Sequence, residues 1–142
     1  MDIATANNPD KQGETVKRKT TRILVVDDEE PIRKLIETML ARRGYDVRTC
    51  GGATAAKGQI AAFEPHIVIT DIIMPEGEGM ELIRYLRHIS EPPCAIAMSG
   101  NRLGRQFLGA SEMLGARRTL AKPFDEETLV ETVESCLEEA QG

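Results

Sequence analysis

From about residue 22 onward the chain alternates short apolar runs with longer stretches in which apolar side chains return every three or four positions. Ile23-Leu24-Val25-Val26 has the pattern of a strand, and Pro31 to Arg42, with Ile32, Leu35, Ile36, Met39 and Leu40 at helical spacing, that of a helix. Pro31 suits a first helical turn, where a missing N–H leaves nothing unpaired, and Gly44 follows as a C-terminal cap would. The alternation predicts a strand over Asp46 to Cys50, an Ala-rich helix over Ala53 to Ala62 and a strand over Ile67 to Thr70. A loop with Pro75, Gly77 and Gly79 follows, then a helix over Met80 to Ile89 that turns Met80, Ile83, Leu86 and Tyr85 inward. After the break at Pro92-Pro93 come a strand over Ala95 to Met98 and a fourth helix over about Arg105 to Leu114, closed by Gly115. A short strand over Thr119 to Ala121 and a fifth helix over Phe124 to Leu137, with Asp125 as its N-cap, complete five βα units. Strands that are apolar throughout, regularly separated by helices, predict a doubly wound α/β fold: a five-stranded parallel sheet with helices on both faces.

The first twenty residues, Met1 to Thr20, are polar, lack apolar periodicity and end in the basic run Lys17-Arg18-Lys19. They predict a mobile tail over 1–20 ahead of one domain over 21–140, and 142 residues is enough for one buried core. Since the chain stops at Gly142, soon after the fifth helix, the domain is expected to stand alone. No apolar run approaches the roughly 20 residues of a membrane span, nor is there a secretory leader, so no membrane contact and a cytoplasmic location are expected. A net charge of −5 argues against direct binding to nucleic acid. Cys50, Cys94 and Cys136 are odd in number and widely spaced, fit no zinc pattern or disulfide framework, and are expected to be free thiols. His66 and His88 fall away from the strand C-termini and are expected to be structural. Arg102, Arg105, Arg117 and Arg118 read as a solvated face, with a basic docking patch as the alternative. Met74, Met80, Met98 and Met113 read as packing residues.

Chemistry concentrates at the strand ends. In an open parallel sheet, ligands bind outside the carboxyl ends of the strands, near the point where strand order reverses. Strand one ends in Asp27-Asp28-Glu29-Glu30, strand three in Asp71, strand four in Ser99-Gly100 and strand five in Lys122-Pro123. Taken singly, these are an acidic turn before a helix N-terminus, a turn aspartate, a loop hydroxyl and a surface lysine. If strands one, three, four and five are neighbours about 4.8 Å apart, they meet at one edge. Three carboxylates then crowd together and call for a hard divalent cation with oxygen ligands, best Mg²⁺, which keeps its waters and pairs with phosphate. Lys122 and Ser99 would hold phosphoryl oxygens, and Asp71, centrally placed, would be the nucleophile.

At these positions the sequence resembles the response-regulator receiver family. The matching stretches are Ile23-Leu24-Val25-Val26-Asp27-Asp28-Glu29, Asp71-Ile72-Ile73-Met74-Pro75, Met98-Ser99-Gly100 and Ala121-Lys122-Pro123-Phe124, and the likeness runs from about Thr21 to Leu137. It implies strand order 2-1-3-4-5 and phosphorylation of Asp71 by a sensor histidine kinase or phosphotransfer protein. It further implies Mg²⁺ held by Asp28 directly, by Asp27 through water, by Asp71 and by the backbone carbonyl of Ile73. Ser99 and Lys122 would bind the phosphoryl oxygens, and Lys122-Pro123 would be a cis peptide. Such a domain catalyses only its own phosphorylation and dephosphorylation, and is expected to signal by docking another protein through the face made by helix four, strand five and helix five.

The switch positions are Ser99 and Thr119. The family usually carries Tyr or Phe where this chain has Thr119, so coupling is expected to run through Ser99 and the loop from Gly100 to Gly104 instead. Among rival readings, a haloacid-dehalogenase-like phosphatase would place its nucleophile after the first strand in a D-x-D pattern, which Asp27-Asp28-Glu29 does not match. Nucleotide-binding glycine motifs are missing. A pseudo-receiver that binds partners without phosphorylation and a phosphorelay intermediate remain as alternatives.

Overall fold

The computed structural model describes residues 21–75, 78–100 and 106–141. Five strands, β1 (Arg22–Val26), β2 (Asp46–Cys50), β3 (Ile67–Asp71), β4 (Cys94–Ser99) and β5 (Arg118–Ala121), form one parallel sheet in the order β2-β1-β3-β4-β5. The helices are α1 (Glu30–Ala41), α2 (Ala53–Phe63), α3 (Glu78–Arg87), α4 (Leu108–Leu114) and α5 (Glu126–Gln141). Fold class, topology and element order are those expected.

Side chains of successive strand residues leave opposite faces of the sheet, so each central strand feeds two cores. On one face Ile23, Val25, Ile67, Ile69, Ile96 and Met98 pack with Ile36 and Leu40 of α1 and Leu129 and Val133 of α5. On the other, Leu24, Val26 and Val68 pack with Ala56 and Ile60 of α2 and Leu82 and Leu86 of α3. Each large aliphatic side chain buried in this way contributes about 1.5–3 kcal/mol, which makes β1 and β3 the rigid centre of the molecule. Asp125 caps α5 as expected, its Oδ1 accepting from the Thr128 N–H at 2.8 Å. Gly115 closes α4 at φ 133°, a conformation that side-chain-bearing residues rarely adopt.

Several expectations need correction. Leu35, placed on the inner face of α1 by spacing, is 52% exposed; the buried stripe is the narrower pair Ile36 and Leu40, flanked by Ile32 and Met39. Met113 is 82% exposed rather than packed, because the side of α4 that meets the sheet carries Ser111. Cys94 and Cys136 are not free thiols: β4 and α5 bring their Cα atoms to 6.3 Å, within bridging range, and they form a disulfide, leaving Cys50 free. Their sequence separation of 42 hid the pairing, since only the packing of a helix on a strand brings them together.

Both histidines have structural partners: His66 Nδ1 accepts from the Arg22 N–H at 3.0 Å, and His88 Nδ1 donates to the Arg84 carbonyl at 3.0 Å. Burial lowers the His66 pKa, and the nearby Arg22 charge adds to the effect. Arg117 and Arg118 both pair with Glu139 of α5, so they form no free basic patch. Arg102, Arg105, the tail over 1–20 and residues 101–104 of the proposed coupling loop lie outside the described residues. Among the described residues, no helix is long and apolar enough to cross a membrane.

Candidate phosphoacceptor site

Strand register assembles the site. Val26 lies opposite Thr70, Asp71 opposite Met98, and Ser99 opposite Ala121, so the residues ending β1, β3, β4 and β5 reach the same sheet edge. Ladder bonds continue one residue past the strands: the Asp27 N–H donates to the Cys50 carbonyl at 3.2 Å, and the Lys122 N–H to the Ser99 carbonyl at 2.8 Å. The backbone carrying the polar side chains is therefore held as firmly as the sheet itself.

Lys122 is the hub. Its Nζ donates to Asp27 Oδ2 at 2.8 Å and to Asp71 Oδ2 at 2.9 Å, with all three side chains largely buried. The other carboxylate oxygens accept from backbone: Asp27 Oδ1 from the Glu29 N–H at 2.9 Å, and Asp71 Oδ1 from the Ile73 N–H at 2.8 Å. Asp28 is exposed beside them, and ligand oxygens of Asp27, Asp28 and Asp71 all lie within 4.8 Å of one another. Like charges about 4 Å apart near a protein surface repel by about 4 kcal/mol, and one ammonium cannot offset three carboxylates. The hydroxyl Oγ of Ser99 is buried at the same edge without a hydrogen-bond partner. A buried hydroxyl left this way is uncommon, and it leaves a donor free at the same edge as the carboxylates.

Burial pushes the Asp71 carboxyl above the usual carboxylate range, and the Asp27 charge adds to this; the hydrogen bonds from Lys122 and the Ile73 amide pull it part of the way back. For Lys122, burial works to lower the pKa, but the hydrogen bonds to Asp27 and Asp71 outweigh it and the ammonium is held above its ordinary value. An ion pair alone would lower Asp71; its desolvation prevails, and the stabilisation of the pair shows on the lysine.

The donor set fits a hard divalent cation: three carboxylates in reach of one another, one of them solvent-facing. Asp28→Ala is expected to weaken Mg²⁺ binding at least tenfold while relieving repulsion in the metal-free protein. Calorimetric titration with MgCl₂ reads this directly, and an unchanged affinity would remove Asp28 from the ligand set.

Thr119 is half-buried on β5, opposite Ala97 of β4. Three supporting residues were not anticipated. Arg33 Nη1 donates to the Asp27 carbonyl at 2.8 Å, tying α1 to the acidic turn. Glu78 Oε1 accepts from the Ala53 N–H at 3.0 Å, capping α2 where Gly52 has no side chain to do so. Gly79 lies so close to β3 that a Cβ there would sit 2.1 Å from the Asp71 carbonyl oxygen. Only the two glycines, Gly77 and Gly79, placed just after strand three were a visible signal for the last of these.

The family model for the response regulator receiver domain matches residues 23–134. The DNA-binding transcriptional regulator NtrC of Azospirillum brasilense is 37% identical over 115 residues, covering 81% of this chain but 24% of its own length. The chain thus spans about a quarter of that relative. A signal receiver domain from Bermanella marisrubri superposes with a TM-score of 0.77 at 31% identity, covering 83% of this chain and 98% of that one. NtrX from Brucella abortus superposes with a TM-score of 0.81 at 27% identity, covering 86% of this chain and 28% of that one. Sheet order, the acidic edge and these matches agree, and the chain belongs to the response regulator receiver domain family of two-component signalling.

Proposed function

We propose that Asp71 accepts a phosphoryl group from a phosphohistidine on a sensor histidine kinase or phosphotransfer protein, in a Mg²⁺-dependent reaction. The observation that carries this reading is the Lys122 ammonium bridging Asp27 and Asp71 beside the unpartnered buried Ser99 hydroxyl. An Asp71 carboxylate oxygen attacks phosphorus, the P–N bond to the donor imidazole breaks, and that nitrogen keeps the bonding pair and takes a proton. Lys122 then serves the phosphoryl oxygens as a fixed cation, and Ser99 Oγ donates its hydrogen to one of them. Asp27, Asp28, Asp71 and the Ile73 carbonyl would hold Mg²⁺, which when bound neutralises charge on the transferring group.

Phosphorylation would change the surface formed by α4, β5 and α5, and thereby its affinity for a protein target. Ser99 and Thr119 are the proposed switch positions. Thr119 is too small to move a ring's volume in or out of the core, so the shift would be carried by Ser99 following the phosphoryl group.

Incubation of the full chain with acetyl phosphate and MgCl₂, followed by intact mass measurement, should show a gain of about 80 Da that disappears with EDTA, as expected for a Mg²⁺-dependent phosphoryl transfer. No gain with Mg²⁺ present would favour the pseudo-receiver. The pH dependence has a definite sign. In the metal-free protein burial raises the Asp71 pKa, so its carboxyl should titrate above an exposed aspartate, and bound Mg²⁺ should move that midpoint down. A midpoint at or below the ordinary carboxylate value in the metal-free protein, read from carboxyl carbon shifts across a pH series, would contradict the burial of Asp71.

A further inference from the structure

At the opposite end of the sheet the Cys94–Cys136 disulfide joins the first residue of β4 to the middle of α5. Cys94 and Ser99 bound the same strand, so the disulfide lies roughly 16 Å from the acidic edge at about 3.3 Å per residue. The two cysteines differ in burial. Cys136 is fully buried in the core cluster with Leu129 and Val133, whereas Cys94 is half-buried and lines two cavities. The larger, about 710 Å³, is also bordered by Arg22, His66, Pro93 and Leu137; the smaller, about 270 Å³, by Arg87 and Arg117.

We propose that Cys94 and Cys136 form a reversible redox site, reduced by a low-molecular-weight thiol entering at Cys94, and that its state sets how firmly the C-terminal half of α5 is held. Attack by the thiolate of such a reductant on Cys94 Sγ breaks the S–S bond, and Cys136 leaves as a thiolate that takes a proton. A second thiol attacks the resulting mixed disulfide and frees Cys94. In total, two reductant thiols become one disulfide and the protein gains two thiols; oxidised reductant drives the reverse reaction.

Oxidation has a structural consequence because of what else holds this part of α5. Among the described residues beyond Cys136, Leu137 packs partly buried against the core, and the polar ties are the ion pairs of Glu139 with Arg117 and Arg118, all partly or largely exposed and adding little in water. The disulfide is the covalent tie between this part of α5 and the sheet, beside the Arg118 Nε–Ser135 Oγ hydrogen bond at 3.0 Å, and cutting it makes local opening of that end easier. Since α5 belongs to the proposed output face, the thiol state would be an input separate from phosphorylation at Asp71. In a thiol-reducing compartment, lasting disulfides are rare and reversible ones are the regulatory kind.

The test uses the full chain without any phosphodonor, so its outcome is independent of the phosphoacceptor reading. The chain is equilibrated in graded mixtures of reduced and oxidised glutathione, acid-quenched, alkylated under denaturing conditions and mapped by peptide mass, with hydrogen exchange measured in parallel. Cys94 and Cys136 should pass together from disulfide-linked to alkylated across the series. Amides in the C-terminal half of α5 should exchange at least tenfold faster in the reduced form, and this difference should vanish in Cys136→Ala. Thiols at every ratio, a disulfide that persists in fully reduced glutathione, links between two chains, or equal exchange in both forms would each overturn the proposal.

Discussion

Asp71→Asn is expected to abolish the gain of phosphate mass while leaving the domain folded and no less stable. The amide has no anionic oxygen to attack phosphorus, so the loss is complete rather than partial. The fold should persist because the amide oxygen can still accept from the Ile73 N–H, as Asp71 Oδ1 does at 2.8 Å. Two electrostatic effects then oppose each other. Losing one of three crowded carboxylates removes repulsion from Asp27 and Asp28, while Lys122 loses one of its two carboxylate partners and keeps Asp27 at 2.8 Å. Two repulsions of about 4 kcal/mol at 4 Å and an effective dielectric near 20 are lost against one attraction of similar size, so the balance favours the variant and its stability should hold or rise. Urea unfolding reads the stability, and intact mass after acetyl phosphate and MgCl₂ reads the chemistry. A phosphate gain that persists in the variant and maps to Asp27 or Asp28 would move the acceptor off β3.

How much of this could be read before the structure was known depends on the kind of contact involved. Local periodicity gave the five strands within a residue or two, most clearly β1, β3 and β4, because a stretch buried on both faces, such as Ile67 to Ile69, is apolar at every position. The acidic edge was legible for a related reason: parallel strands all present their C-termini on one side, so polar residues there converge whatever their separation in sequence. Contacts between a helix and a distant element left no such trace. The spacing of Cys94 and Cys136 reveals nothing until α5 is laid on β4. Arg33 reaches the Asp27 carbonyl by a backbone contact that any long donor could make, and Glu78 caps a helix 25 residues before it. Leu35 was misplaced because helical spacing defines a broad stripe, whereas α1 buries only the part of it that faces β1 and β3.

Gly79→Ala is expected to damage both stability and chemistry through a single methyl group. A Cβ at Gly79 would lie 2.1 Å from the Asp71 carbonyl oxygen, 2.6 Å from Ile72 Cα and 2.8 Å from the Ile72 carbonyl carbon. All three are backbone atoms, so no side chain can rotate away, and α3 must retreat from β3 or the turn after Asp71 must shift. Overpacking of this kind costs about 1–3 kcal/mol and occasionally more, and here the upper end is expected because backbone must move. Alanine's better helix propensity returns about 1 kcal/mol at most. Gly58 of α2 supplies the control, since a Cβ there meets nothing within 4 Å. Gly58→Ala should therefore stabilise the domain by about 0.5–1 kcal/mol through helix propensity alone. Urea midpoints should move down for Gly79→Ala and up for Gly58→Ala at similar m-values. The chemical effect follows from the same clash: any shift of the Asp71–Ile72 peptide also moves the carboxylate held between Lys122 and the Ile73 amide. The phosphorylation rate should fall at least tenfold in Gly79→Ala at urea-free, fully folded conditions and stay unchanged in Gly58→Ala. Equal stabilities for the two variants would show that β3 and α3 are less tightly apposed than the 2.1 Å approach requires.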